Sequence, residues 1–138
     1  MTILVADDNA FSREVMKELL EASGHMIVEA ANGLDALVLI RKCIPGLVFL
    51  DLQMPLQDGF GVLRELRIDP RFENLPVVAV TASAMIGDRE RAIAAGFDSY
   101  IAKPIDLCEV EALVGALASR LRVRGDILPL EQFIKFHP

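Results

Sequence analysis

The sequence has no cluster of lysine or arginine and no long apolar run. Its 138 residues carry 14 basic against 20 acidic side chains, for a net charge of −6. A chain that grips nucleic acid needs a cationic footprint; none stands out, so no direct nucleic-acid role is expected. The uncharged apolar stretches are only as long as single strands, too short to cross a membrane. Met1 leads straight into TILVADD with no basic leader or long apolar core, which sets an expectation of cytoplasmic residence rather than secretion. Cysteine is scarce. Cys43 and Cys108 follow no pattern, fall where helices are expected, and read as reduced packing residues. His25 and His137 stand without companions and are not read as ligands.

What the chain does hold is apolar residue, 53% of the total, enough for one domain with a full core. Short β-branched runs alternate five times with segments of helical period. The strands read as Thr2–Ala6, Met26–Ala30, Leu47–Leu50, Val77–Val80 and Ser99–Ala102, and the helices as Phe11–Ala22, Leu34–Cys43, Phe60–Ile68, Met85–Ala95 and Leu107–Arg122. In the first helix Phe11, Val15, Leu19 and Leu20 form the expected buried stripe, with Arg13, Glu14, Lys17, Glu18 and Glu21 facing water. Asp88, Arg89, Glu90 and Arg91 read as a solvated face of the fourth. Gly24 and Gly96 follow helix ends, where a left-handed cap suits glycine. Alternation of this kind predicts βαβ crossovers, hence an α/β fold with a parallel sheet and helices on both faces. The central strands are almost wholly apolar, as a doubly covered sheet requires.

In such a fold ligands bind at the carboxyl ends of the strands. Asp7 and Asp8 follow the first strand, Asp51 the third, Thr81 the fourth and Lys103 the fifth. Asp51 is the telling one. In 47-LVFLDLQMPLQDGF-60 it tips the most hydrophobic strand, where desolvation makes a charge costly. Three crowded carboxylates repel one another unless a cation intervenes, and Mg²⁺, with Mn²⁺ as a substitute, takes oxygen ligands of this type. Thr81 and Lys103 would then face a phosphoryl group as donor and counter-charge, and a carboxylate can itself attack phosphorus. On this reading Asp51 is placed to be phosphorylated.

With VADDN at 5–9, FLDLQMPLQDGF at 49–60, VTAS at 80–83 and YIAKPID at 100–106 in order, the chain resembles a response-regulator receiver domain of two-component signalling, of the stand-alone chemotaxis type. The resemblance covers about residues 2–121 and divides the chain into a receiver at 1–122 and a short tail or linker remnant at 123–138. It implies a flavodoxin-like (βα)5 doubly wound sandwich with strand order 2-1-3-4-5. It makes Asp51 the phosphoacceptor and gives Mg²⁺ to Asp7, Asp8, Asp51 and the main-chain carbonyl of Gln53. Thr81 and the backbone N–H of Ala82 would hold the phosphoryl group, and Lys103 would pair with it. Tyr100 matches the aromatic whose rotamer follows Thr81, and Pro104 a proline whose preceding bond is cis, turning Lys103 inward. The implied donor is a phosphohistidine on a histidine kinase or phosphotransfer protein. The implied output is a protein target on the face of the fourth helix, fifth strand and fifth helix. Such a protein is a switch, catalysing only its own phosphorylation and dephosphorylation.

Other readings fit less well. Asp7 and Asp8 can be taken as caps of the first helix, but Asn9 serves equally. Asp58-Gly59 reads as turn chemistry. A phosphatase of the haloacid-dehalogenase type needs a second acid where Gln53 stands. A flavin or nucleotide module would carry a glycine-rich phosphate loop. A degenerate receiver, acting only as an interaction surface, would have lost an acid, the threonine or the lysine. In the family the chain resembles, the positions of Gln53 and Ser83 border the phosphoryl group and tune its hydrolysis. The tail, with Ile127, Leu128, Leu130, Phe133, Ile134 and Phe136, reads either as a linker remnant or as a docking segment; Gly125 can end the fifth helix and Pro129 can open a short turn. The start at Met1 favours a stand-alone receiver over a piece of a longer chain, while the kinase, the target and the oligomeric state are not legible.

Overall fold

The computed structural model describes residues 1–82 and 85–122. Ser83 and the tail at 123–138, with the roles expected of them, lie outside the described residues. Ten elements alternate in order: β1 (Thr2–Ala6), α1 (Ala10–Ala22), β2 (Met26–Ala30), α2 (Gly33–Cys43), β3 (Leu47–Asp51), α3 (Gly59–Ile68), β4 (Val77–Thr81), α4 (Asp88–Ala95), β5 (Ser99–Ala102) and α5 (Leu107–Arg122). All five strands are parallel in the order β2-β1-β3-β4-β5, so the chain winds one way from β1 to β2 and the other way from β3 onward.

Strand alternation divides the core in two. Leu4, Ala6, Val48, Leu50, Val77, Ala79 and Tyr100 face α2, α3 and α4, where they meet Leu37, Ile40, Val62, Leu63, Leu66 and Ala92. Ile3, Val5, Leu47, Phe49, Val78, Val80 and Ile101 face α1 and α5, against Met16, Leu20, Val110, Leu113, Val114 and Leu117. Every residue of β3 and β4 is buried, which explains the unbroken apolar runs.

Helix starts follow local chemistry. The side chain of Asn9 accepts from Ser12 N–H, that of Asn32 from Asp35 N–H and that of Asp58 from Gly61 N–H. Asn9 therefore caps α1 and leaves Asp7 and Asp8 for other work. Gly96 closes α4 at φ +114°, a conformation costly for any residue with a Cβ.

Several expectations need correction. Phe11 is 78% exposed; the buried line of α1 is Met16 and Leu20, four residues apart, with Val15 and Leu19 half-buried beside it. Phe11 sits in the first turn, about 140° around the helix from Met16 at 100° per residue. Arg13, expected in water, is partly covered and donates to the Asp7 carbonyl at 2.8 Å. Helix α4 starts at Asp88, not Met85, because the Asp88 carboxylate accepts Met85 N–H at 2.7 Å and closes the turn before the helix. That leaves Asp88 buried rather than on a solvated face. Cys43 and Cys108 lie on helices as expected, but both are exposed. They end α2 and begin α5, turned away from the core.

Candidate functional site

Sheet register assembles the site. Ala6 stands opposite Leu50, Asp51 opposite Val80, and Thr81 opposite Ala102. The next residue on each strand therefore reaches the same carboxyl edge, and backbone bonds continue the ladder one step beyond. Asp7 N–H donates to Ala30 O at 3.0 Å, Leu52 N–H to Val80 O at 3.0 Å, and Lys103 N–H to Thr81 O at 2.8 Å. Asp7 and Lys103, and Leu52 directly after Asp51, are thus fixed by main-chain bonds at this edge.

Their side chains converge. Lys103 Nζ lies 2.8 Å from Asp7 Oδ2 and 3.0 Å from Asp51 Oδ2. The other oxygen of each acid accepts from backbone two residues on: Asn9 N–H to Asp7 Oδ1 at 2.9 Å, and Gln53 N–H to Asp51 Oδ1 at 2.9 Å. Asp7 and Asp51 are buried, whereas Asp8 is exposed beside them. One carboxylate oxygen from each of Asp7, Asp8 and Asp51 fits within a 4.8 Å cluster. An all-oxygen set of three acids with an open side suits a hard divalent cation that keeps several waters.

Burial pushes the Asp51 carboxyl above its ordinary range, and the Asp7 charge adds to the rise; the Gln53 N–H and Lys103 oppose it. For Lys103, burial works to lower the ammonium, but its bonds to Asp7 and Asp51 outweigh that and its pKa is raised. The lysine remains charged because both acids hold it.

Thr81, at the end of β4, is buried, and by strand parity it shares the α2–α3–α4 face with Tyr100. The Tyr100 hydroxyl is buried with no hydrogen-bond partner among the described residues, and burial raises its pKa. Ala82 and Gln53 are exposed at the rim. The Lys103–Pro104 bond is cis. A cleft of about 400 Å³ opens next to these groups, lined by Gln53, Phe60, Thr81, Met85, Asp88 and Arg91. Asp7, Asp8, Asp51, Gln53, Thr81, Ala82 and Lys103 therefore fall on one edge of the sheet, while Tyr100 stands two residues back along β5, opposite Ala79.

Three supporting residues were not singled out for the site from sequence. Arg13 clamps the Asp7 carbonyl. A Cβ on Gly59 would lie 2.6 Å from the Asp51 carbonyl oxygen, so only glycine lets α3 start this close to the acid. Asp88 pairs with Arg91 on the cleft wall. Of these, Gly59 had a legible signal, the glycine after a capping aspartate; the other two depend on tertiary placement.

The family model for the response regulator receiver domain matches residues 3–115. The chain belongs to the response-regulator receiver family. It is 39% identical over 127 residues to response regulator Rre1 of Synechocystis sp., a match covering 91% of this chain and 55% of Rre1. It thus spans about half the length of that relative. Over 106 residues it is 39% identical to the polar-differentiation response regulator DivK of Brucella anthropi, covering 77% of this chain and 86% of DivK. Among solved structures it is similar to the receiver domain of sensor histidine kinase PA1611 from Pseudomonas aeruginosa, which has a magnesium ion coordinated in its active site cleft. That match has a TM-score of 0.79 and 28% identity, and covers 86% of this chain and 97% of that one. Receivers are the signalling switches of two-component systems. Among the described residues, no helix of this receiver is long and apolar enough to cross a membrane.

Proposed function

We propose that residues 1–122 form a phosphoacceptor receiver that takes a phosphoryl group on Asp51 from a phosphohistidine of a histidine kinase or phosphotransfer protein in the cytoplasm. The observation that carries this reading is the shared lysine: Lys103 Nζ bridges Asp7 and Asp51 at 2.8 and 3.0 Å inside a three-carboxylate cluster. A buried acid held by two donors, one of them a cation, is oriented and available as a nucleophile, whereas a solvated turn acid would be neither.

Asp7, Asp8 and Asp51, with the Gln53 carbonyl, would hold Mg²⁺, or Mn²⁺ in its place. Held there, the cation would supply positive charge to neutralise the phosphoryl oxygens. An Asp51 carboxylate oxygen forms the new bond to phosphorus as the P–N bond to the donor imidazole breaks, and the imidazole leaves with that electron pair. Lys103 moves from balancing two carboxylates to balancing the acyl phosphate, whose phosphoryl group carries about −1.5 to −2 charges at neutral pH in place of the single charge of the carboxylate. Thr81 Oγ1 and the Ala82 N–H supply donors from the β4 end. A Thr81 hydroxyl drawn to the phosphoryl group vacates space on the face where Tyr100 lies, and Tyr100 follows it inward. The α4–β5–α5 face is the surface biased by this change and the one a target protein reads. The receiver catalyses its own phosphorylation and dephosphorylation and turns over no other substrate. Gln53, exposed at the rim, faces the water that ends the signal.

Intact mass after incubation with Mg²⁺ and acetyl phosphate tests this reading. A gain of one phosphoryl group that needs Mg²⁺ and is lost in Asp51→Asn supports it. No adduct, with acetyl phosphate or with a set of phosphohistidine donors, overturns it in favour of a phosphorylation-independent interaction module.

A further inference from the structure

On the side of the sheet away from α4, an open groove of about 280 Å³ runs between the C-terminal end of α1 and α5, lined by Leu20, His25, Glu111, Val114, Gly115 and Ala118. Small-molecule sites are mostly concave and larger, about 300–1,000 Å³. Two features of this groove have no explanation inside the domain. Gly115 lies in the middle of a 16-residue helix, where glycine is the poorest helix former after proline, yet a Cβ there would meet nothing within 4 Å. The packing of the described residues therefore does not require glycine. The Nδ1 atom of His25, one of the lining residues, is buried with no hydrogen-bond partner among the described residues, an arrangement that destabilises unless something supplies one.

The chain itself supplies a candidate. Helix α5 ends at Arg122, one turn beyond Ala118, and residues 123–138 continue from that point with Ile127, Leu128, Leu130, Phe133, Ile134 and Phe136 among them. Leu130, Phe133 and Ile134 have the i, i+3, i+4 spacing of one helical face, directly after Pro129, which suits a first helical position. Gly125 and Pro129 lie where the chain would have to reverse. A segment returning antiparallel to α5 meets its residues in descending order. Leu130 would come first, near Ala118, and Ile134 next, near Gly115.

We propose that residues 127–136 dock in the α1–α5 groove of their own chain, with Leu130, Phe133 and Ile134 seated over Gly115. The glycine is then a seat for side chains from the tail, and the tail covers the unsatisfied His25 edge. Docking would brace α5, the helix that follows the Lys103–Pro104 segment, so the tail would tie the end of the chain to the element that β5 leads into.

The test is a thermodynamic cycle in the full chain: the parent, Gly115→Gln, a tail variant with Leu130→Ser, Phe133→Ser and Ile134→Ser, and the combination. In the tail variant, Gly115→Gln should raise Tm by about 2–3 °C, since glutamine is the better helix former and meets open space. In the parent the same change should give no gain or a loss, because the new side chain occupies the seat. Amide exchange at Leu20–His25 and Val114–Ala118 should be faster in the tail variant than in the parent. An equal Tm gain in both backgrounds, with unchanged exchange, overturns the proposal. Coupling that strengthens with protein concentration also overturns it, because the occupant is then a second copy.

Discussion

Lys103 touches two acids at once, and its removal should show what it holds. With Lys103→Ala, Asp7 and Asp51 face each other without a cation, so Tm should fall in metal-free buffer; added Mg²⁺ should recover more of the loss than it adds to the parent. Calorimetry with and without Mg²⁺ checks this, and equal Mg²⁺ effects in both proteins would count against the shared site. Tyr100 gives a pH prediction. The chain has one tyrosine and no tryptophan, so ultraviolet absorbance of phenolate reports Tyr100 alone. Burial raises its pKa, so the native phenol should ionise above the ordinary tyrosine value of about 10 and return to it in denaturant. The sign follows from linkage: the protonated phenol is favoured in the fold, so its stabilising contribution is complete below the unfolded pKa and lost as pH rises through the folded one. Native ionisation at or below the denatured value would contradict the buried placement. The acid site was legible at this scale because each acid or base directly follows a strand. Phe11, Asp88 and Arg13 were misjudged because their surroundings come from other elements, which no local pattern encodes.

At the scale of elements, Arg67 shows why β4 and β5 begin where they do. From α3 it donates to the carbonyls of Phe72, Leu75 and Gly96 and to the carboxylate of Asp98, which itself accepts Val77 N–H at 2.8 Å. Both side chains of the pair are mostly covered, so Arg67→Ala leaves several acceptors unpaired and should cost about 3 kcal/mol, or roughly 10 °C in Tm. Arg71→Ala breaks a solvated pair with Asp69 and should leave Tm almost unchanged. Thermal melts of the two variants separate these cases. Gly59→Ala belongs at this scale too. Its Cβ would press on the Asp51 carbonyl, and displacing α3 should cost about 2 kcal/mol and slow phosphorylation of Asp51 as well. A variant with normal stability and normal phosphorylation would refute the close-packing account. Element order and most boundaries could be read from period and caps. The α4 start could not, because Asp88 acts through a turn with Met85 that the charge pattern DRER conceals.

For the molecule as a whole, parallel register does the assembling. Strand order β2-β1-β3-β4-β5 puts β1 and β3 side by side, so the acids after each become neighbours although 44 residues separate Asp7 from Asp51. The two helical layers bury both faces and leave the carboxyl edge as the place where charge can collect. That much follows from alternation of strand and helix, since parallel crossovers leave few arrangements. The central claim is that one acid at this edge, Asp51, accepts the phosphoryl group, with its neighbours in supporting roles. The most direct measurement is to phosphorylate the protein, reduce it with borohydride, which converts an aspartyl phosphate to homoserine, and map the peptides. The account predicts homoserine at position 51 and nowhere else. Homoserine at Asp7 or Asp8, or at no position after a confirmed mass gain, would contradict it.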